Sequence, residues 1–437
     1  MKRNIYLKTI PPAEAVARVK ASIDREALIR EETIPSHEAS GRVLAHAVHA
    51  RYSSPTFHSA AMDGYAVNAR STFAAREGHP LTLKAGETCF AVNTGHPMPE
   101  GCDAVIMIEQ VMLDGGSVTI EAPAFPWQHV RRIGEDIVAT ELLFPRNHQL
   151  RPWDVGALLS GGIWDVPVWE RVTVRIIPTG DEVLDFTTHP DPGKGQVVES
   201  NSQMLAALAR ELGCVVERAA PVPDNPEALH QALKDSLDAG RHLTIFCAGS
   251  SAGSKDFTRA TLEKEGEILT HGIAAMPGKP SLLANCRGRL VAGAPGYPVS
   301  ALVCFKELLE PLISWLSHRE PPAKTVVPVE LTRTVPSRPG VEEHVRVSIG
   351  RVGDKLVAFT FGSAVNEHTF DTHVEKADTD YDGAFTIINK LFAEHLPERF
   401  TLINREEDLG IDGLRQSKLS YHPAVIQHKF TAIHLHP

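Results

Sequence analysis

The sequence lacks the patterns of several common protein classes. It has 437 residues but only six scattered cysteines without a C-x-x-C pair, so we expect reduced, mostly buried thiols rather than a disulfide framework. Its 21 histidines show no H-E-x-x-H or comparable spacing, which argues against a zinc site. No apolar run approaches the roughly 18 residues needed to cross a bilayer, and the N-terminal segment has no apolar core of a signal peptide. These absences predict a soluble, cytoplasmic protein.

The chain also lacks an excess of positive charge. The chain has 44 basic and 54 acidic residues and a net charge of −10, which argues against nucleic acid or an anionic membrane as the main partner. The hydrophobic share of 43% is ordinary for a globular protein, and the length allows several domains.

The periodicity of apolar residues divides the chain into regions. Residues 12–30 are predicted to form an amphipathic helix, and 40–140 contain short apolar stretches between Gly/Pro turns, typical of a β-rich region. Strands and helices alternate over 172–302, with a helix capped by Asn201 or Ser202 and a further helix from Ser300 to Leu316. This alternation predicts a mainly parallel, three-layer α/β sandwich. Ligands of such sheets bind beyond the carboxyl ends of the strands.

Eight short segments combine glycine or proline with oxygen-bearing side chains. This composition suits backbone N–H groups that surround an anion while carboxylates hold a cation. Taken singly, each segment is more often an ordinary turn than a site. In order they are SAAMDGYAV (59–67), NTGHPMPEGCDAV (93–105), RIGEDI (132–137), PTGDEV (178–183), ESNSQML (199–205), AGSSAGSKDFT (248–258), PGKP (277–280) and GAPGYPVSA (293–301).

Taken in order, these motifs resemble the molybdopterin molybdenumtransferase family, the MoeA and gephyrin E-domain proteins, over roughly residues 5–350. The resemblance implies an α/β multidomain fold, elongated and homodimeric. It implies insertion of molybdate into adenylated molybdopterin, with Mg²⁺ and with release of AMP. A molybdopterin adenylyltransferase-type protein is the implied upstream partner.

The resemblance also implies a division of the chain. A linker subdomain comprises 1–50 plus 140–171, and a β-rich subdomain comprises 51–139. A three-layer α/β (MogA-like) molybdopterin-binding subdomain covers 172–320. The start of a C-terminal β subdomain covers 321–355. Residues 356–437 lie beyond the family pattern and are predicted to form an atypical α+β module, a partial GNAT-like domain.

Site residues are carried over by matching position. The expected catalytic residues are Asp63, Thr94, Asp136, Glu182 and Asp256. Glu182 and Asp256 are the expected metal ligands. Asp63 is expected to face the α/β subdomain of the partner subunit. The expected ligand-binding residues are Thr179, Gly180, Asp181, Ser200, Asn201, Gly249, Ser250, Ser251, Gly253, Pro277, Gly278, Pro295, Gly296, Pro298 and Ser300.

Four positions depart from the family pattern. His242 replaces an aspartate, Met276 a lysine, and Ala248 and Thr140 replace glycines. We expect the first change to remove a cation ligand and the second to remove a positive charge for an oxyanion. The alternative function is a protein that binds molybdopterin or its nucleotide without inserting metal.

The family pattern ends near residue 355. The runs EKADTDYDGA, INREEDLGIDGLR and KLSYHP instead resemble the C-terminal half of the GNAT-like domain of phosphatidylglycerol lysyltransferases. The pattern predicts strands over 356–362 and 369–376, a helix near 382–395, and a strand and helix over 400–418. Asn404, Arg405, Glu406 and Asp408 are expected to be structural, because half of that domain is missing. Half of a two-part fold leaves an open sheet edge and uncovered apolar surface. This module is therefore expected to dock on the linker subdomain, to pair with a second chain, or to be only marginally stable.

Overall fold

The computed structural model describes residues 9–247, 257–326, 339–345, 348–352, 355–364, 368–377 and 384–404. The chain forms two compact units, Met1–Lys324 and Thr325–Pro437. Within the described ranges, no helix has the length and hydropathy needed to cross a membrane. All six cysteines are free, and five of them are buried, as the sequence predicted.

The first helical region is two helices rather than one. Pro12–Ser22 begins with proline at its first position, where a missing N–H costs nothing. The chain then turns, and the Asp24 carboxylate accepts the Ala27 N–H at 3.1 Å to start the helix Arg25–Leu28. The predicted single helix over 12–30 is therefore wrong at this turn.

The linker region joins two segments that are distant in sequence. Strand Glu31–Pro35 pairs antiparallel with Asp165–Trp169, and the helix Pro152–Ser160 lies between them in the chain. Leu44 and Leu158 are fully buried in a common core. One core thus includes residues from both sides of the β-rich segment.

The β-rich segment contains two three-stranded antiparallel sheets, besides the short pair of Ser59–Ala60 and Val130–Arg131. In the first, Gly64–Val67 lies between Cys89–Val92 and Ala104–Met107. In the second, Ser117–Ile120 lies between Leu81–Lys84 and Met112–Asp114. Glycine is required at position 64, because an added Cβ would lie 2.0 Å from the Ile106 carbonyl oxygen. The strand Ala104–Met107 therefore lies close to Gly64, the residue that follows Asp63.

A six-stranded sheet forms the centre of the next region. In chain order its strands are β1 (Thr173–Pro178), β2 (Val215–Arg218), β3 (Leu243–Cys247), β4 (Gly266–His271), β5 (Leu282–Cys286) and β6 (Arg289–Ala294). The spatial order is β2-β1-β3-β6-β5-β4. The first four strands in this order are parallel, and β5 and β4 extend the sheet antiparallel.

Helices cover both faces of this sheet. The helix α1 (Asn201–Glu211) buries Leu205 in the core of one face. The helix α2 (Pro226–Asp238) buries Leu229 and Leu233 in the core of the other. The predicted three-layer α/β sandwich is confirmed. The cap of α1 was predicted wrongly, because Ser200 occupies the cap position and makes no side-chain bond there.

The region that contains the main sheet ends in the helix predicted over Ser300 to Leu316, and this helix includes a π-helical segment. Pro298–Cys304 (α3) is α-helical, Phe305–Leu309 is π-helical, and Glu310–Leu316 is α-helical. A helix over Phe257–Glu265 precedes β4. Shorter strands occur at Val48–His49, Ser59–Ala60, Val130–Arg131, Leu142–Phe144, Val183–Leu184, Val197–Val198 and Ala275–Met276. Short 3₁₀ helices occur at Ser36–Glu38, Ala69–Thr72, Ile108–Gln110 and Phe186–Thr188.

The second unit has a four-stranded sheet. Its strands, in both chain and spatial order, are Ser348–Val352, Lys355–Ala364, Thr369–Ala377 and Leu402–Asn404. The helix Ala384–Glu394 packs on the two long central strands, and a two-residue strand lies at Glu342–Glu343. The strands and helix predicted from the pattern after residue 355 are confirmed. The predicted helix after the last strand falls outside the described residues.

Candidate functional site

The TGDE loop is fixed at the carboxyl edge of the main sheet. The N–H and hydroxyl of Thr179 both donate to the Cys247 carbonyl, at 3.0 and 3.1 Å, so the end of β1 is fixed to the end of β3. Gly180 has φ +137°, and a Cβ there would lie 3.0 Å from the Glu182 carboxylate. Glycine therefore lets the Glu182 side chain fold back against the loop.

The loop that carries Ser200 and Asn201 contacts the loop that follows β6 directly. The side-chain amide of Asn201 donates to the Gly296 carbonyl at 2.7 Å. This bond brings Ser200 and Asn201 at the start of α1 beside Pro295 and Gly296, which follow β6. The Asn201 Oδ1 atom is buried and has no hydrogen-bond partner among the described residues.

A buried charged network supports this junction. Both oxygens of the Glu199 carboxylate accept from Ser202, one from its N–H at 2.7 Å and one from its hydroxyl at 2.5 Å. Arg218 at the end of β2 contacts this Glu199 carboxylate at 3.4 Å and Asp185 at 3.1 Å. The hydrogen bond from the Thr187 N–H is the main cause that lowers the pKa of Asp185, and the hydrogen bond from Arg218 is the second.

Sequence reasoning missed Glu199 and Arg218 as supports of the site. The only signal for the first was its place in ESNSQML, and nothing marked the second as more than a strand residue. Buried side-chain networks of this kind hold loops in one arrangement when every member is paired. The network therefore fixes the loop that carries Asn201.

The PGKP turn lies against helix α3. A Cβ added to Gly278 would lie 3.1 Å from the Val303 side chain and 3.7 Å from the Ser300 carbonyl. The N–H and hydroxyl of Ser281 both donate to the Gly278 carbonyl, at 3.1 and 2.7 Å. The structure thus brings Pro277 and Gly278 beside the helix that begins at Pro298, after β6.

The remaining expected loop follows β3 immediately. Gly249, Ser250, Ser251, Gly253 and Asp256 lie outside the described residues. Their positions in the chain follow Cys247, the last residue of β3. Their role as ligand-binding residues stays a prediction.

A metal site assembled from protein groups alone is not found among the described residues, which contain no cluster of three or more His, Cys, Asp or Glu side chains. Asp181 accepts the Asp224 N–H at 3.1 Å and thus stabilises a loop. Glu182 has no such bond to a backbone N–H among the described residues. Because Mg²⁺ commonly takes one or two carboxylates and completes its shell with water and substrate phosphates, Glu182 fits such a role.

The β-rich segment forms a separate group of expected site residues. Asp63 accepts both the N–H and the hydroxyl of Thr94, at 2.7 and 3.0 Å. Both bonds lower the pKa of Asp63, and the bond from the Thr94 N–H has the larger effect. The Asp136 N–H donates to the Ser54 carbonyl at 3.0 Å. The structure therefore joins Asp63 and Thr94 directly and holds Asp136 through its backbone on another loop.

His242 lies at the opposite edge of the main sheet from the expected site loops. It precedes the first residue of β3, at the amino edge of the sheet, and its Nδ1 atom accepts the Thr173 N–H at 3.0 Å. The other ring nitrogen lies 3.5 Å from Glu170. Burial is the main cause that lowers the His242 pKa. The expectation that this position supplies a cation ligand at the loops is wrong, because the strand β3 separates the two edges.

Three family models match the chain. Residues 10–162 match the MoeA N-terminal region (domain I and II), and residues 175–315 match a probable molybdopterin binding domain. Residues 306–433 match the C-terminal region of phosphatidylglycerol lysyltransferase, in agreement with the resemblance of the tail.

Individual relatives share most of the chain. The molybdopterin molybdenumtransferase of Haemophilus influenzae is 34% identical over 309 residues, which are 66% of this chain and 74% of the relative. Molybdopterin molybdenumtransferase 2 of Mycobacterium tuberculosis is 31% identical over 356 residues, or 76% and 86% of the two chains. A solved molybdopterin biosynthesis MoeA protein of Pyrococcus horikoshii is similar with a TM-score of 0.64 and 26% identity, over 79% of this chain and 88% of that one.

Proposed function

We propose, from the premise that this chain belongs to the molybdopterin molybdenumtransferase family, that it inserts molybdate into adenylated molybdopterin and releases AMP. Membership makes it an enzyme of molybdenum cofactor biosynthesis. The proposal adds the particular substrate and the leaving group.

One observation carries the proposal. The Asn201 amide bond to the Gly296 carbonyl brings together two loops that follow different strands, and the Thr179 bonds to Cys247 fix a third loop to the end of β3. Such a convergence of glycine-containing loops at the carboxyl edge suits a phosphate-bearing ligand, because backbone N–H groups can approach its oxygens.

The substrates are anions, which decides how the acidic residues act. An adenylated molybdopterin carries a diphosphate, and molybdate is a second anion. A bare carboxylate at the loops would repel both. We therefore assign Glu182, with Asp256, to hold Mg²⁺ beside the diphosphate. A bound Mg²⁺ would neutralise charge that develops on the phosphate oxygens.

No protein nucleophile is required by this assignment. Thr179, Gly180, Ser200 and Asn201 hold and orient the substrate, and orientation alone contributes strongly to the rate of such a step.

We further propose that the site is completed by a second copy of the chain. Asp63 and Thr94 form a bonded pair on the β-rich segment, and the family resemblance brings this pair to the α/β region of the partner subunit. The protein is accordingly proposed to be a cytoplasmic homodimer that receives its substrate from a molybdopterin adenylyltransferase-type protein.

The test is a reaction with purified protein. Adenylated molybdopterin and Mg²⁺ are incubated with and without molybdate, and AMP is quantified by chromatography. The expected result is AMP release that depends on molybdate, together with rescue of a strain that lacks the family enzyme. Binding of the nucleotide without AMP release and without rescue would overturn the proposal in favour of the binding-only alternative.

A further inference from the structure

A cavity of about 410 Å³ lies at the amino edge of the main sheet. Val172, which precedes β1, and Cys214, which precedes β2, form part of its wall together with Trp169. The six residues of β1 separate this edge from the Thr179 loop by about 20 Å at the usual rise of a strand. The cavity is therefore distinct from the candidate catalytic site.

The cavity is strongly basic. Four arginines line it, and Glu170 is the single acidic lining residue. The local formal charge is thus about +3, in a chain whose net charge is −10. The four are Arg42, Arg171, Arg210 and Arg319.

Most of this positive charge is not used within the fold. Arg42 is paired with Glu32 and donates to the Trp169 carbonyl at 2.9 Å. Arg171 and Arg210 are exposed, and neither forms an ion pair with any residue that the structure describes. Two guanidinium groups are therefore free to contact a ligand.

Arg319 provides the strongest indication. It donates to the Leu212 carbonyl, but its buried Nε–H has no partner among the described residues. Burial lowers the pKa of Arg319, which means that the surroundings disfavour its charge. Arg319 is half-buried and has no ion-pair partner among the described residues, and an anion in the cavity would supply the missing counter-charge.

We propose that this cavity binds a small anion that carries a diphosphate group. Guanidinium groups bind phosphate oxygens through paired, charge-assisted N–H bonds. The cavity volume falls in the range of small-molecule sites and exceeds what a single phosphate fills. Arg171, Arg210 and Arg319 contact the ligand, and Arg42 holds the Trp169 backbone in the wall.

The experiment needs a local signal, because the catalytic site is also proposed to bind phosphates. Trp169 lines the cavity, so its fluorescence reports occupancy there. Pyrophosphate is titrated into the full-length protein at about 0.15 M salt, where distant charge effects are screened. The expected signal saturates in the wild type and is absent in Trp169→Phe.

Variants assign the binding to the arginines. The double variant Arg171→Ala/Arg210→Ala is expected to raise the Kd for pyrophosphate at least about tenfold. The matched control Arg70→Ala/Arg76→Ala removes two exposed charges from the β-rich segment and is expected to leave the Kd unchanged. Titration with ADP distinguishes the source of the diphosphate: tighter binding than pyrophosphate assigns a nucleotide, and weaker binding assigns the free diphosphate.

Two results would overturn the proposal. One is an unchanged Kd in the Arg171→Ala/Arg210→Ala variant. The other is a wild-type protein whose Trp169 signal does not respond to millimolar pyrophosphate or ADP. Both removed side chains are exposed, so loss of folding is not expected to obscure the comparison.

Discussion

Asn201 and Gly296 are 95 residues apart in the chain, and a single hydrogen bond of 2.7 Å joins them. The donor lies at the start of α1, and the acceptor follows β6. This bond fixes the relative position of two loops that both face the proposed ligand. Its loss should therefore affect binding and catalysis more than folding.

We predict that Asn201→Ala lowers kcat/KM for AMP release by about tenfold, because small displacements of positioning groups are costly. Stability should fall by only about 1 kcal/mol, the usual contribution of one hydrogen bond. The control is Asn225→Ala, which removes the cap bond to the Ala228 N–H at a similar cost in stability. Equal activity losses in the two variants would contradict the positioning role.

We predict that Asp63→Ala and Glu182→Ala each abolish the proposed molybdate insertion and leave the protein folded and in the same oligomeric state as the wild type. Both residues lie in exposed or half-exposed loops, where truncation costs little core packing. Removal of Asp63 also releases the N–H and hydroxyl of Thr94. AMP release, size-exclusion chromatography and circular dichroism are the measurements.

The matched controls for these variants are Asp114→Ala and Asp191→Ala, which remove exposed carboxylates elsewhere in the chain. Both controls should retain activity. Normal cofactor synthesis by Asp63→Ala or Glu182→Ala would refute their assignment to the site.

The sequence was sufficient to predict the order of strands and helices, because hydrophobic periodicity and turn residues are local properties. The family resemblance also named Asn201 and Gly296 as ligand-binding residues, and the structure joins these two by a hydrogen bond. The sequence did not predict the Glu199–Arg218 contact, since pairing of a loop carboxylate with a strand arginine depends on tertiary packing. The place of His242 at the start of its strand was predicted correctly; the cation-ligand role given to that position was wrong, because it lies at the opposite edge of the sheet from the loops.

Two of the four departures from the family pattern, Met276 and His242, should therefore differ in effect. We predict that Met276→Lys strengthens molybdate binding severalfold, because it adds a positive charge next to the Pro277–Gly278 turn. His242→Asp should leave molybdate and Mg²⁺ binding unchanged, since this residue lies at the other edge of the sheet. Isothermal titration of the single variants tests both statements. Tighter ion binding in His242→Asp would show that the amino edge contributes to the site.

His318 makes stability depend on pH. Its ring stacks on Trp169 with a centroid distance of 3.8 Å and a 7° interplanar angle. Burial, together with Arg25 and Arg146, lowers its pKa from 6.5 to about 4 against the opposing effect of Glu26. Below pH 6.5 the unfolded chain takes up a proton that the folded chain does not. This proton uptake favours the unfolded chain. The free energy of unfolding is therefore unaffected by His318 above pH 6.5 and decreases as the pH falls from 6.5 towards 4.

We predict that His318→Phe removes this dependence. The ring stack is retained, and no hydrogen bond is lost, because neither ring nitrogen has a hydrogen-bond partner among the described residues; the nearest carboxylate, of Glu26, lies 3.8 Å from Nδ1. The wild type should lose about 2 kcal/mol relative to this variant between pH 7 and pH 5. Denaturant unfolding at the two pH values measures the difference, and parallel losses in both proteins would contradict the assignment.

The boundary between the two compact units should be a site of proteolytic cleavage. Residues 320–326 are exposed and form no regular secondary structure, and the boundary between the compact units lies at Lys324. Limited trypsin digestion should therefore cleave first at Lys324 and leave a stable fragment that ends there. Mass spectrometry identifies the product. Early cleavage inside 172–316 would contradict the boundary.

We expect the released second unit to be short-lived. Its helix buries Ile388 but leaves Ile387 58% and Leu391 44% exposed, and its last strand leaves Leu402 48% exposed. Apolar surface of this kind is unfavourable in water unless a partner covers it. The fragment from 325 onwards should thus be digested further or associate with another chain. A protease-resistant, monomeric fragment would show that this module is complete without a partner surface.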